Sequence, residues 1–297
     1  IADAADLNRE IKSRVSGEKK YYIFLDEIQR CPGARTALKF WSIDGRFDVV
    51  TSGSLQGIVF GDEKDSVPVG YEEPVTMTAL DFEEFLWATG YSESSLTYLK
   101  ELYDRKETVP ESIHLKLLEK IREYMIVGGM PEAVNSYIET SSFNKVHDVQ
   151  QALVKNYLDD IAYYAPTADK VKARQCYLSI PRQLSKENTK FQYSVVEHNG
   201  TARKFGSSTD WLAESETAVY CRHIENAAFP LAAYVKDDAF RLYLTDIGLL
   251  TTMYGIDAKA ALVSDTFEGT AKGGIYENLI AEMLFKKGRP LYYYKTA

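Results

Sequence analysis

Five consecutive apolar residues, Tyr21-Tyr22-Ile23-Phe24-Leu25, run directly into two acids, Asp26 and Glu27, and this junction narrows the possible folds more than any other stretch. An unbroken apolar run of that length reads as a strand buried on both faces, the kind that parallel sheets use. A helical pattern over Ala34 to Ile43 follows, and then a second strand, Phe47-Asp48-Val49-Val50, ending in Thr51-Ser52-Gly53-Ser54. Strand, helix and strand in that order make a βαβ unit, so the expected class is α/β with a parallel sheet. The acids and the hydroxyls then meet at the carboxyl edge of the sheet, where ligands bind in open α/β folds. In nucleotide hydrolases such an edge uses its first acid, here Asp26, to hold Mg²⁺ and its second, Glu27, to orient the attacking water. Thr51 and Ser52 would then reach toward a γ-phosphate. Many apolar strands end in an acid without doing chemistry, so spacing alone leaves both readings open.

Composition limits the rest. The chain has 297 residues, with 35 Lys+Arg against 43 Asp+Glu and a formal charge of -8, which disfavours a surface that coats nucleic acid nonspecifically. The length suits two domains or three small ones. Cys31, Cys176 and Cys221 are odd in number and far apart, and the four histidines are scattered, so neither a disulfide framework nor a zinc site is expected. A cytoplasmic location is expected, and no apolar run reaches the length of a membrane span. The first residue is Ile1, with no initiator Met and no signal-peptide pattern, so the chain is expected to be an excerpt of a longer protein.

Downstream, residues from about Leu80 to Tyr164 carry helical periodicity. Leu115, Leu118, Ile121, Tyr124 and Met125 recur at three- and four-residue spacing and are expected on one buried stripe. A strand is expected at Tyr193 to Glu197, a helix starting from Ser207-Ser208-Thr209 as its N-cap, strands at Ala218 to Cys221 and Phe240 to Leu244, a helix from Gly274 to Phe285, and an aromatic strand at Pro290 to Tyr294 that needs a neighbour. Gly128-Gly129-Met130-Pro131 reads as a tight turn with Pro at the first helical position rather than a phosphate loop. Glu83-Glu84 and Asp159-Asp160 read as helix surface, because adjacent helical residues do not converge.

Several strings share their wording with a known family. Ile23-Phe24-Leu25-Asp26-Glu27-Ile28-Gln29 resembles the Walker B strand of a large prokaryotic family of AAA-type ATP-binding proteins with a trailing restriction-endonuclease-like domain. Val50-Thr51-Ser52-Gly53-Ser54 is similar to its sensor-1 segment, with Ser52 where Thr is more usual. Leu80 to Leu86, Val127 to Val134, Tyr157 to Ile161, Leu242 to Leu250 and Gly274 to Asn278 follow in the family's order, so the resemblance spans nearly the whole chain. It implies a partial P-loop ATPase core at 1–70 with the Walker B and sensor-1 strands, a helical region at 71–185, a winged-helix-like segment at 186–235 and an incomplete nuclease-like α/β domain at 236–297. It also implies ATP and Mg²⁺ as cofactors of the intact parent.

Two parts of the family's chemistry do not occur in these residues. No GxxxxGK[ST] phosphate loop is present, so the chain is expected to bind ATP weakly or not at all and to be inactive alone, whereas the parent hydrolyses ATP. Glu277 stands where a nuclease-like helix acid would be, a possible vestige without the strand acids that would complete a Mg²⁺ site. The carboxyl-terminal half is expected to meet DNA or a protein partner, Arg203 and Lys204 adding charge beside Ser207 to Thr209. Self-association stays open, and Arg46 is available as an arginine finger without any context that selects it. The alternative is a non-catalytic protein- or DNA-interaction scaffold.

Overall fold

The computed structural model describes residues 4–17, 19–53 and 70–295. The chain divides into two compact units, Ile1–Met77 with Tyr163–Pro166, and Thr78–Ala162 with Thr167–Ala297. The end of the expected ATPase core, at the division between 1–70 and 71–185, and Ser54 border or lie in residues 54–69, outside the described residues.

In the first unit, α1 (Ala4–Arg14) and α2 (Pro32–Asp44) lie on one face of a parallel pair, β1 (Tyr21–Leu25) and β2 (Phe47–Thr51). The register runs from Tyr21 opposite Phe47 to Leu25 opposite Thr51. Leu7, Ile28, Ala37, Leu38, Trp41 and Phe47 form the core, with Ile23, Leu25 and Val49 packed onto it. The Trp41 indole N–H donates to Asn8 Oδ1 at 3.1 Å, which satisfies the polar atom that this large ring brings inside. Gly45, at φ 71°, ends α2 in the left-handed conformation that glycine adopts without strain. The expectation that β1 is buried on both faces fails. Tyr22 is 72% exposed, Phe24 74% and Val50 57%, because among the described residues the helices cover only the Tyr21-Ile23-Leu25 face of the pair.

In the second unit helices dominate: α3 (Phe82–Ala88), α4 (Glu93–Arg105), α5 (Glu111–Val127), α6 (Pro131–Thr140), α7 (Phe143–Tyr164), α8 (Lys170–Leu184), the single turn α9 (Tyr193–Val196) and α10 (Ala202–Glu214). Three strands follow or interleave: β3 (Ala218–Ile224), antiparallel to β4 (Val235–Leu244), and β5 (Leu291–Tyr293), parallel to β3 on its other side. Helices α11 (Ile247–Met253), α12 (Ile256–Val263) and α13 (Thr270–Lys286) complete the unit. β5 finds its predicted neighbour in β3, with Cys221 opposite Leu291 and Arg222 opposite Tyr292. α3 begins at a capping box, in which the Glu84 N–H donates to Asp81 Oδ1 at 2.9 Å and the Asp81 N–H to Glu84 Oε2 at 2.8 Å.

Three local expectations are corrected. Tyr193 to Glu197 forms no strand: Gln183 brackets the backbone of Gln192, donating to its carbonyl at 2.9 Å and accepting its N–H at 3.1 Å, and this tie to α8 overrides aromatic β-propensity. Ser207-Ser208-Thr209 does not start a helix but lies inside α10, where Ser208 and Thr209 are buried and Ser207 and Ser208 donate to Asp169 Oδ1. Those two buried hydroxyls are therefore not offered to a nucleic-acid backbone. Leu115 and Leu118 are exposed, and only the last turns of α5, from Tyr124 to Val127, are fully buried. The apolar period is correct there, but among the described residues the first half of the helix lacks a neighbour to cover Leu115 and Leu118.

Candidate functional site

The strand pair of the first unit delivers the predicted residues to one edge. At the end of β1 the Ser52 N–H donates to Leu25 O at 2.9 Å, and the Ile28 N–H returns to Ser52 O at 3.0 Å, so the ladder continues past both strands and fixes Asp26 beside Ser52. The Ser52 hydroxyl donates to Asp26 Oδ1, which also accepts the Glu27 N–H at 3.1 Å. Glu27 occupies the left-handed region, φ 52° and ψ 52°, a costly conformation for a residue with a Cβ that turns the chain sharply into a 3-10 turn at Ile28–Arg30. Its carboxylate accepts from Gln29 Nε2 at 2.7 Å and faces Arg30 Nε at 3.8 Å. Asp26 and Ser52 are exposed, while Glu27 and Thr51 are half-buried. Asp26, Glu27 and Ser52 are thus brought together, with Thr51 next to Ser52 at the end of β2.

This donor set suits one half of a Mg-nucleotide site. Both donors on Asp26 engage Oδ1, which leaves Oδ2 for a cation, and Mg²⁺ keeps several waters and needs only one or two carboxylates besides substrate phosphates. Among the described residues no cluster of three or more His, Cys, Asp or Glu could hold a metal by itself. The phosphate half does not fit, because the 297 residues contain no loop of GxxxxGK[ST] type to supply a ring of backbone N–H groups and a lysine.

Glu277 lies in the second unit, on α13. Its Oε2 accepts from Thr189 Oγ1 at 2.9 Å, Arg241 Nη1 at 2.9 Å and Tyr243 Oη at 3.0 Å. The Arg241 guanidinium lies 4.4 Å from the centroid of the Tyr293 ring. An internal cation therefore already neutralises this acid. Burial, with Glu277 adding to it, drives the Tyr243 phenol well above its ordinary value.

Sequence reasoning missed a polar assembly inside the second unit. Asp246 caps α11: its Oδ1 accepts the Leu249 N–H at 3.0 Å, while Oδ2 accepts the Gly129 N–H at 2.7 Å. A Cβ at Gly128 would collide with the Asp246 carboxylate, and one at Gly129 with the Leu80 carbonyl. Gln150 donates to Val127 O at 2.7 Å and accepts from Thr252 Oγ1 at 2.8 Å and from the buried Lys259 ammonium, which also donates to Ile126 O at 2.9 Å. Burial pulls Lys259 down to about 7, against the opposing pull of Asp246. Nearby, Glu282 Oε1 accepts from Tyr124 Oη at 2.6 Å and Lys286 Nζ at 2.7 Å, and burial raises the Glu282 carboxyl to about 7 despite Lys286. Asn278 brackets Leu244, accepting its N–H and donating to its carbonyl. The strings around residues 80, 128, 246 and 278 are thus bound to one another through interior hydrogen bonds. Their joint occurrence was the signal that could have revealed this.

Residues 118–260 match a family described as a domain of unknown function, DUF8612. No protein of curated function matches the chain. Among solved structures, the Walker-type ATPase paby2304 of Pyrococcus abyssi aligns with 84% of this chain at 14% identity and a TM-score of 0.39, and the chain spans 65% of that protein's length. Among the described residues no helix is long and apolar enough to cross a membrane. Residues 1–86 match the AAA domain family, and they include Asp26, Glu27, Thr51 and Ser52.

Proposed function

We propose that residues 1–86 contribute the metal- and water-handling edge of an AAA-type ATPase, and that the element gripping the phosphates is not among these 297 residues. The observation that carries this reading is the Ser52 hydroxyl bonded to Asp26 at the end of a parallel strand pair, inside the segment that matches the AAA domain. Mg²⁺, when bound, supplies charge neutralisation for the phosphate oxygens. Asp26 holds the cation through Oδ2, directly or through water. Ser52 fixes the rotamer of that carboxylate, and Thr51 and Ser52 lie at the edge a γ-phosphate would approach. Glu27, turned outward by its left-handed backbone, orients the attacking water. Gln29 and Arg30 hold its carboxylate in place.

Two further points support the incomplete-site reading. Without a phosphate loop, one carboxylate and two hydroxyls cannot replace the backbone N–H groups that provide most of the affinity for phosphate. The exposed Tyr22, Phe24 and Val50 form an apolar sheet face of the kind parallel sheets cover on both sides. In the second unit Glu277 acts as a structural acid, Arg241 standing where a divalent cation would otherwise sit. A reducing cytoplasmic setting agrees with the buried thiols of Cys176 and Cys221, which burial pushes up to about 12 and about 11. The carboxyl-terminal half serves to engage a DNA or protein partner.

Calorimetry with Mg-ATP tests this on the chain and on the protein extended upstream through a strand, loop and helix. The expected result is binding by the extended protein alone, with turnover lost in Asp26→Ala and Glu27→Gln. A folded extended protein that binds no nucleotide would overturn the reading and leave a non-catalytic interaction scaffold, which the exposed Tyr22-Phe24-Val50 face then serves as a docking surface.

A further inference from the structure

A cleft of about 300 Å³ in the second unit lies where β3, β5 and the end of α13 meet, walled by Ala213, Phe285, Pro290, Leu291, Tyr220 and Tyr292 and bearing two guanidiniums, Arg222 and Arg289. No acid lines it. Arg289 is aimed by its backbone: Gly288, at φ 66°, closes α13 with its N–H on Phe285 O at 2.8 Å, and the Arg289 N–H returns to Leu284 O at 3.0 Å. Its guanidinium has no ion-pair or hydrogen-bond partner among the described residues. Arg222 lies opposite Tyr292 in the β3–β5 register, with its guanidinium 4.6 Å from the Tyr220 ring centroid, and its nearest acid is the exposed Asp237 at 4.0 Å. The Tyr220 hydroxyl is itself held by Asp210 Oδ1 at 3.0 Å, so the platform under Arg222 is fixed. The Tyr292 ring, by contrast, has no ring or cation partner among the described residues.

In a chain of net charge -8, an Arg289 guanidinium with no counter-ion among the described residues and an Arg222 guanidinium paired only at 4.0 Å with the exposed Asp237, both beside an apolar wall, call for an anion from outside. Paired guanidinium forks match phosphate oxygens, and a free tyrosine face with a phenylalanine and a proline beside it matches a flat base carried on that phosphate. We propose that this cleft binds a nucleotide, with Arg222 and Arg289 on the phosphate and the base on Tyr292. The ligand is either a free mononucleotide or one unit of a single-stranded nucleic acid, since both carry a phosphate next to a base. The site is built from residues of the second unit alone and does not depend on the ATPase reading.

The test measures binding of AMP, a short oligothymidylate, inorganic phosphate and a tetrapeptide with a free carboxyl terminus to the full 297-residue chain at low salt. It compares the chain itself with Arg222→Gln/Arg289→Gln, Tyr292→Ala, Asp26→Ala and the charge control Arg105→Gln. AMP binding that weakens by about tenfold or more in the double variant and survives in Asp26→Ala and Arg105→Gln supports the site and makes a free nucleotide sufficient. Oligothymidylate binding with the same dependence but no AMP binding supports it with a polynucleotide as the source, and the salt slope should then fall by roughly 0.7 per guanidinium removed. Tyr292→Ala should weaken either ligand while leaving inorganic phosphate unaffected. The proposal is overturned if no nucleotide binds up to about 1 mM, if the double variant, folded by its unfolding curve, binds as well as the parent chain, if phosphate binds as tightly as AMP, or if only the carboxylate peptide binds.

Discussion

Acids and polar side chains mark both units, but with opposite settings. At the strand edge of the first unit Asp26 and Ser52 are exposed, and among the described residues one oxygen of Asp26 is left unused. Inside the second unit Asp246, Gln150 and Lys259 are buried and bonded to backbone groups of distant segments, and the buried Glu282 is bonded to the side chains of Tyr124 and Lys286. An exposed carboxylate can exchange water for a ligand at little cost to the fold. A buried one that satisfies two backbone N–H groups cannot be altered without leaving those donors unpaired. The same residue type is therefore open to exchange in one setting and a fastening in the other.

Substitutions can break or sharpen that contrast. The largest effect is expected for Asp246→Ala, which strands the Gly129 and Leu249 N–H groups and should cost about 3–5 kcal/mol in urea unfolding. Gly129→Ala comes next, because its Cβ would meet the Leu80 backbone, which cannot give way as a flexible side chain could. About 1–3 kcal/mol is expected from the same measurement. Should either variant unfold like the parent chain, the polar interior would not be the fastening described.

The pH dependence follows from two buried groups. Lys259 has a folded value near 7, below its ordinary 10.5, so between those limits the unfolded chain holds the extra proton and stability rises with pH. Glu282 has a folded value near 7, above its ordinary 4.5, so between those limits the folded chain holds the extra proton and stability falls as pH rises. Together they place a minimum near neutrality, with limbs of at most about 1.4 kcal/mol per pH unit. Lys259→Met should flatten the upper limb and Glu282→Gln the lower one, read from unfolding midpoints across the range.

Smaller still are the effects at the strand edge. Asp26→Ala should move stability by only about 0.5 kcal/mol while abolishing turnover in the extended protein, a separation that no interior substitution can give. Phe24→Ser should be nearly neutral in this chain and cost about 1.5–3 kcal/mol in the extended protein if that face is covered there. Equal effects in both would show the face to be solvent-exposed throughout.

Much of the local structure was legible in the residues. The strand pair, the helix between them, the Pro131 helix start and the strands at 218, 240 and 291 follow from period, length and turn chemistry, all of which act between near neighbours in the chain. Asp26 with Ser52 was legible for the same reason, since parallel register across one short crossover leaves little freedom. The errors came where a distant partner decides: Gln183 holding Gln192 out of a strand, Asp169 receiving the hydroxyls of Ser207 and Ser208, and no neighbour among the described residues covering Leu115 and Leu118.

By itself, then, the sequence determined most of the elements, the acid-bearing strand edge and the lack of a phosphate loop among these residues. Only the tertiary structure decided that Glu277 is neutralised by Arg241, that the glycines at 128 and 129 yield space to Asp246 and Leu80, and that Arg222 and Arg289 share one cleft. The physical reason is range. Periodicity and capping are set within a few residues, whereas the charge, burial and free valence of a side chain depend on whichever remote segment packs against it.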